Sequence, residues 1–457
     1  MRTARTFGVA AFVALLASCS TGPSCDSASL SASLAAAHSG DTVMLGACTV
    51  TGPFTVPAGV SLVGSGISSS RIVSPGLGVV LGDGASLRSV RIDHGGAHGV
   101  VAVNASRVSV SDVEVHSTLG RAALGFADVA TVSLTNVVAV GPITGDTAAQ
   151  QLPAHPTSSD TCIYGIVLVR VGTATLTNVS ASQYGAGGVI GSDSTITWNG
   201  GHVAGNVALG TWIDGGHATL TDVTIDGTLR GFALAPPYGL TIGRGAQVSS
   251  SGLVVTNTHQ GLGILQDGGD ATHMGLVCTG HAGGGMVVQH ANTLHVGGGS
   301  MFADNAFAGI VTVESNGVLL ESTMIARTTL ATRVLMSWGA VMIGDGIQVV
   351  RPASAVQIHD VALMGSARIG LLADLGGGSA SLVQTTNVAT SQTMDYGCAM
   401  QNGTGITPTT SGALCTRDAA AITADVTVPS SLDIVGIVMP TEIPATGALQ
   451  AIVMPTE

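Results

Sequence analysis

The sequence has no lysine: all fifteen basic residues are arginine, and 27 acidic residues outnumber them, for a formal charge of −12. No single site demands that absence, so it reads as a compositional bias. Sparse, unclustered basic charge excludes a nucleic-acid partner, which needs Lys and Arg gathered against phosphates. Charged residues make up only 9% of the chain and aromatics 3%. So few aromatics leave few stacking platforms for a sugar, and the candidates are Tyr164, Tyr184, Trp198, Trp212, Tyr238 and Trp338. After residue 19 there is no long hydrophobic run, because Gly, Ser or Asp interrupts each one. A mean hydropathy of +0.50 therefore signals no further membrane span. Adjacent aspartates are lacking, and so are histidines at metal-ligand spacing. His94 and His98 lie four apart, but across a Gly-Gly-Ala turn, and read as solvated loop residues. No metal and no cofactor is expected.

What is abundant is glycine, 65 residues, within a repeat whose clearest copy is Val108–Val115, VSVSDVEV. Apolar residues alternate on both sides of a small polar residue, which describes two short strands sending every second side chain to one interior. The middle residue is a bend, where Asn, Asp and Gly tolerate the left-handed backbone. That bend recurs from Gly64 through Ser89, Asp112, Asn136, Asn178 and Asp222 to Asp360 and, last, Gln384, mostly 22 to 25 residues apart. Three spacings are longer, at 42, 30 and 38, and place insertions near 141–162, 228–237 and 327–343, all on one side. About thirteen residues before each bend a Gly opens a further alternating run, as in GVVAV at Gly99, GIVLV at Gly165 and GIVTV at Gly309. Three strands per repeat, with no room for a helix between them, predict an all-β parallel solenoid of about 13 turns, about 60 Å long at about 4.8 Å per turn.

This repeat resembles the right-handed, single-stranded parallel β-helix of the pectate-lyase-like superfamily, and the handedness comes from that resemblance. Leu30, Leu34 and Ala37 stand at helical spacing ahead of a Gly-Asp turn, which resembles the short N-terminal helix capping the first turn of such proteins. The expected organisation is 1–19 as signal peptide, 20–48 as tether and helical cap, 49–390 as β-helix, and 391–457 as a C-terminal disulfide loop, cap and tail. The tail contains IVMPTE twice.

Residues 1–19 carry Arg2 and Arg5 ahead of an apolar run too short to span a bilayer, which is a secretion signal. Leu16-Ala17-Ser18-Cys19 resembles a bacterial lipobox, which implies a lipid on Cys19, and Ser20 implies the outer membrane or cell surface of a Gram-negative bacterium. Export makes disulfides expected: Cys25 with Cys48 across the helix, and Cys398 with Cys415 at the far end. Cys278 falls on an inward position, and Cys162 is left without a partner.

Taking the fifth residue after each strand-opening position yields a polar column: Asp83, Asn104, Asp128, Arg170, Asp193, Asp214, Arg244, Gln266, His290, Glu314 and Arg351. Stacked this way it is a ladder of compensating charges, with Asp128 beside Arg170, Asp214 beside Arg244, and His290 beside Glu314. It is also a candidate catalytic array of Asp193, Asp214, Arg244 and His290. Asp193 and Asp214 would lie about 5 Å apart, near the carboxylate separation of retaining glycosidases, and like charge would raise one pKa. Arg170, Tyr164, Tyr238 and Trp338 are candidate binding residues beside the insertions, while Trp198 and Trp212 read as inward core. The outward first-strand residues are apolar, Val101, Val103, Val167, Val169, Val311 and Val313 among them, and an exposed stripe of that kind would mark a partner surface unless the insertion loops cover it. The catalytic motifs of pectate lyases and polygalacturonases cannot be carried over to any residues of this chain. The favoured expectation is a lipid-anchored extracellular β-helix that binds or scaffolds, with polysaccharide or a cell-surface partner as its target. The alternative is a polysaccharide lyase or glycoside hydrolase using the column.

Overall fold

The computed structural model describes residues 24–143, 164–229, 237–335, 339–393 and 396–405. These form a parallel β-solenoid of about 13 turns with one short N-terminal helix. The helix, Ser27–Ala36, starts where the Asp26 side chain accepts the backbone N–H of Ser29 at 2.7 Å. It buries Leu30 and Leu34, the residues that helical spacing singled out, on the first turn. Cys25 and Cys48 are joined, with Cα atoms 5.7 Å apart, and tie helix to solenoid. Cys398 is buried and disulfide-bonded; Cys415, its expected partner, lies outside the described residues, as do Cys19 and Cys162. Cys278 is buried with a free thiol. Parallel pairing extends beyond 49–390 at both ends, from Thr42–Leu45 against Ser61–Gly64 to Ile369–Asp374 against Tyr396–Gln401.

First strands stack into one sheet, from Phe54–Val56 to Tyr396–Gln401, while second and third strands together make the other. The one-residue bend between them is left-handed, with φ between 47° and 55° at Ser89, Asp112, Asn136, Asn178, Asp222, Ser322, Asp360 and Asn387. Stacked Asx side chains bond along it: Asn136 donates to Asp112 at 2.9 Å, and Asn387 to Asp360 at 2.7 Å. Two assignments shift here. Gly64 stands level with Ser89 but leaves the strand into the 65–70 loop without a left-handed φ, and the last bend is Asn387, since Gln384 lies within the strand Val383–Thr386.

The strand-opening glycines form a second ladder. A Cβ on Gly285 would sit 2.4 Å from the carbonyl oxygen of Gly309, and one on Gly210 would sit 2.4 Å from that of Gly239. Successive turns pass so close at this bend that only a hydrogen fits. Nearby, buried amides close the backbone: Asn206 accepts from the Tyr184 N–H at 2.9 Å, and Asn305 accepts from the His281 N–H at 3.1 Å.

The interior is one continuous apolar cluster from Leu30 to Met400. A second cluster lies outside the first-strand sheet, built from Val167, Ile190, Trp212, Leu265, Val287 and Val311 among others. This corrects two expectations. The outward stripe is buried, with Val101 and Val311 both 1% exposed, so it is no open partner surface. Trp212 is buried but faces outward, level with Ile190, because its strand is framed by Gly210 and not by the residue before it. Trp198 is fully buried inside. His94 and His98 are not solvated: both are buried, and burial drives each pKa down to about 4.

Candidate functional site along the first-strand edge

At the end of each first strand the chain turns through a residue that is left-handed in most turns. Asn104, Asp128, Arg170, Asp193, His290, Glu314 and Arg351 have φ between 45° and 55° there. For Arg, His and Glu this backbone costs about 1–2 kcal/mol relative to glycine, so charge is kept at these positions against local preference. Gly215 and Gly268 hold the same place in their turns.

That register corrects the sequence-based column at two points. The pairing sets Ser192 level with Asp214, so Asp193 stacks on Gly215 and Asp214 lies one residue earlier, at the strand end. Gln266 instead faces inward, level with Ile242: its strand is framed by Gly263, over which Gly239 closes, and not by Gly261. Its amide is spent on the Gly268, Gly269 and Thr293 carbonyls.

The corrected edge has two parts. In the early turns Arg170 donates to both Asp128 oxygens, at 2.7 and 2.6 Å, and that bond holds Asp128 below the usual carboxylate range. Arg170 is therefore engaged within the protein. In the later turns a chain of ionisable side chains runs from turn to turn. Arg244 approaches Asp267 at 3.7 Å, His290 faces Asp267 at 3.3 Å and Glu314 at 3.4 Å, and Arg351 meets Glu314 at 3.1 Å. Asp267, which the sequence reading passed over because it counted from Gly261, is the buried anchor, with a side chain only 8% exposed. Arg244 is 80% exposed and held loosely, and His290 is half exposed.

Asp214 stands apart. It has no ion-pair or hydrogen-bond partner for its carboxylate among the described residues. Burial, and then the charge of Asp193, push its pKa above the usual carboxylate range. Its Oδ1 leans over Gly243, where any Cβ would collide with it. Gly243 separates Asp214 from Asp267 by two strand steps, about 9–10 Å. The site therefore offers one carboxyl biased toward its protonated form and, two turns on, a carboxylate flanked by Arg244 and His290.

Tyr164 and Tyr238 open their strands at one register on the apolar cluster outside the first-strand sheet. Burial pushes Tyr164 up to about 12, so its phenol stays protonated. Trp338 lies outside the described residues. Structure thus brings Arg244 and His290 together at Asp267, leaves Asp214 about 9–10 Å from it, puts Asp193 diagonal to Asp214, and leaves Arg170 tied to Asp128.

No protein-family model and no curated protein matches the sequence. Solved structures do resemble the fold. The A-module of the Azotobacter vinelandii mannuronan C-5 epimerase AlgE4 aligns over 83% of this chain and 97% of its own, at 16% identity and a TM-score of 0.45. The AlgE6 A-module from the same organism covers 83% and 98%, at 14% identity and 0.36. The catalytic domain of a GH87 alpha-1,3-glucanase in complex with nigerose covers 79% of this chain and 63% of its own, at 13% identity and 0.32.

Proposed function

We propose that this chain is an exported, membrane-tethered β-helix that binds a polysaccharide along the first-strand edge between Asp214 and Arg351. The observation that carries the reading is the run Arg244, Asp267, His290, Glu314, Arg351, in which consecutive turns each contribute an ionisable hydrogen-bonding group along one edge. The turns repeat at about 4.8 Å, close to the length of one pyranose residue, so a linear glycan lying along the rod meets a fresh group at each sugar. Carboxylates accept from hydroxyls and Arg244 donates to them, and charge-assisted bonds of this kind contribute about 1.5–3 kcal/mol each. The test is a titration of the full chain with a glycan panel that includes mannuronan and α-1,3-glucan. Binding should weaken about tenfold or more in Arg244→Ala. A panel in which no glycan binds overturns the reading.

Asp214 favours a second reading, a glycoside hydrolase or polysaccharide lyase. A carboxyl with a raised pKa about 9–10 Å from a second carboxylate is near the arrangement in which one acid protonates a leaving group and the other activates water. Here Asp214 would be the acid and Asp267 the base. New reducing ends or unsaturated products that vanish in Asp214→Asn would establish it; glycan binding without either product would leave binding alone.

The tether rests on Cys19 and on the Cys25–Cys48 disulfide, which suits an oxidising compartment. Detergent should be needed to extract the chain from cells, and Cys19→Ser should release it.

A further inference from the structure

The outward face of the second strands is unlike any other surface of this rod. Its central column runs Ser61, Ser86, Ser109, Ser133, Thr175, Thr197, Thr219, Ser249 and Thr272, each level with the next. Nine consecutive turns thus place a hydroxyl at one register. The flanking columns continue it through the middle of the rod: Thr131 and Thr135, Thr173 and Thr177, Thr195 and Asn199. Between Ser109 and Thr272 none of the central hydroxyls makes a side-chain hydrogen bond among the described residues. Their donors and acceptors all face solvent.

Strand propensity alone does not explain this, because the adjacent third-strand face has the same geometry and a mixed surface. Its outward column reads Arg91, Glu114, Val138, Ser180, His202 and Thr224, then turns apolar. The three columns from Thr131 to Ser251 contain no Phe, Tyr or Trp and no Asp, Glu or Arg, and His217 is their one titratable residue.

We infer that this face binds ice. Hydroxyls repeat at about 4.8 Å from turn to turn and about 6.7 Å along each strand. These two distances lie close to the oxygen repeats of the prism face of hexagonal ice. Parallel stacking keeps the array regular over about 29 Å, and the four threonines among the seven central residues from Ser109 to Thr272 add a methyl beside the hydroxyl, so water held in the troughs is ordered without a formal charge to reorient it. At the threonines, β-branching restricts χ1 and so limits where the hydroxyl can point.

The experiment partitions the full chain between slowly grown ice and the remaining liquid, with thermal hysteresis measured alongside and albumin as the reference. Wild-type chain should enter the ice. Thr197→Lys should fall to the albumin level, because an ammonium stands in the middle of the array, whereas Thr224→Lys, the same change on the third-strand face, should enter like wild type. Unchanged thermal unfolding of the Lys variants verifies that they are folded. The inference is overturned if the wild type partitions like albumin, or if the two Lys variants behave alike. It shares no residue with the glycan edge, so failure of either leaves the other standing.

Discussion

The first-strand sheet and the second-strand face are built from the same repeat, yet one is apolar on both sides and the other on one side only. In Gly187–Ser192 every residue is buried; in Thr173–Thr177 burial alternates strictly until the final partly buried Thr177. Burial on both faces leaves the first strand only its end at which to present chemistry, which is where the charges collect. The second strand can present a whole face, and it presents hydroxyls. A parallel solenoid thus separates its surfaces by column, and one residue type repeated in one column becomes a property of the entire rod.

The largest expected effect would erase the contrast altogether. His94, His273 and His281 lie in the interior that both faces share, His98 is buried on the outer side of the first strand level with Ala122, and burial lowers each pKa to about 4. The unfolded chain takes up these protons near its ordinary value of 6.5, while the folded chain resists them until about 4. Their stabilisation is therefore complete above about 6.5 and lost as pH falls through the folded value, on the order of 3 kcal/mol per histidine. Four such groups rival the whole stability of an ordinary domain, about 5–15 kcal/mol. Thermal unfolding followed against pH should collapse between these limits, and His98→Leu should move the collapse to lower pH. A melting temperature that stays flat down to pH about 4 would count against this account.

The next effect measures the contrast directly. Ile190, on the outer side of the first strand, is 1% exposed, so Ile190→Ala should cost about 2–5 kcal/mol, as an interior truncation does. Thr175 stands level with Thr197 on the hydroxyl face, and Thr175→Ala should stay within about 0.5 kcal/mol. Denaturant midpoints of the two variants test the pair together; equal midpoints would show that the outer cover of the first-strand sheet contributes nothing.

Much of this was legible beforehand, because a period leaves its mark on every turn. The bend residues, the strand-opening glycines, the helix carrying Leu30 and Leu34 and the Cys25–Cys48 bridge all follow from spacing and residue type. What failed was register where two glycines compete. Gly261 precedes the strand Leu262–Asp267 and Gly263 is its second residue, and only the close approach of the neighbouring turn selects Gly263. That slip misplaced Gln266 and hid Asp267, and a similar one brought Asp214 into line with Asp193. The buried outer face had a signal of its own, since GVVAV and GIVLV are unbroken apolar runs, the mark of strands covered on both sides. The hydroxyl face stands in the sequence as TVSLT, TATLT and TITWN. It becomes visible only once each run is read by its polar positions, because alternation is usually scored by the apolar ones.

The smallest effect separates structural charge from the charge left for a ligand. Asp128 and Arg170 form the tightest pair on the first-strand edge, yet their side chains are 30% and 38% exposed. Solvent screening limits such a pair to about 0–1 kcal/mol, so Arg170→Ala should cost no more than that. Its sign with pH differs from that of the histidines. The Arg170 bond lowers the Asp128 pKa, so the contribution is present above the ordinary carboxylate range and is lost only as pH falls through it. Between pH about 7 and about 5 the gap between wild type and Arg170→Ala should stay constant while both proteins lose stability through their histidines. A gap that closed over that interval would mean that Arg170 acts on a group titrating near neutrality. The Asp128 pair would then not be what ties down this arginine, and Arg170 would rejoin Arg244 as a cation free to meet a ligand.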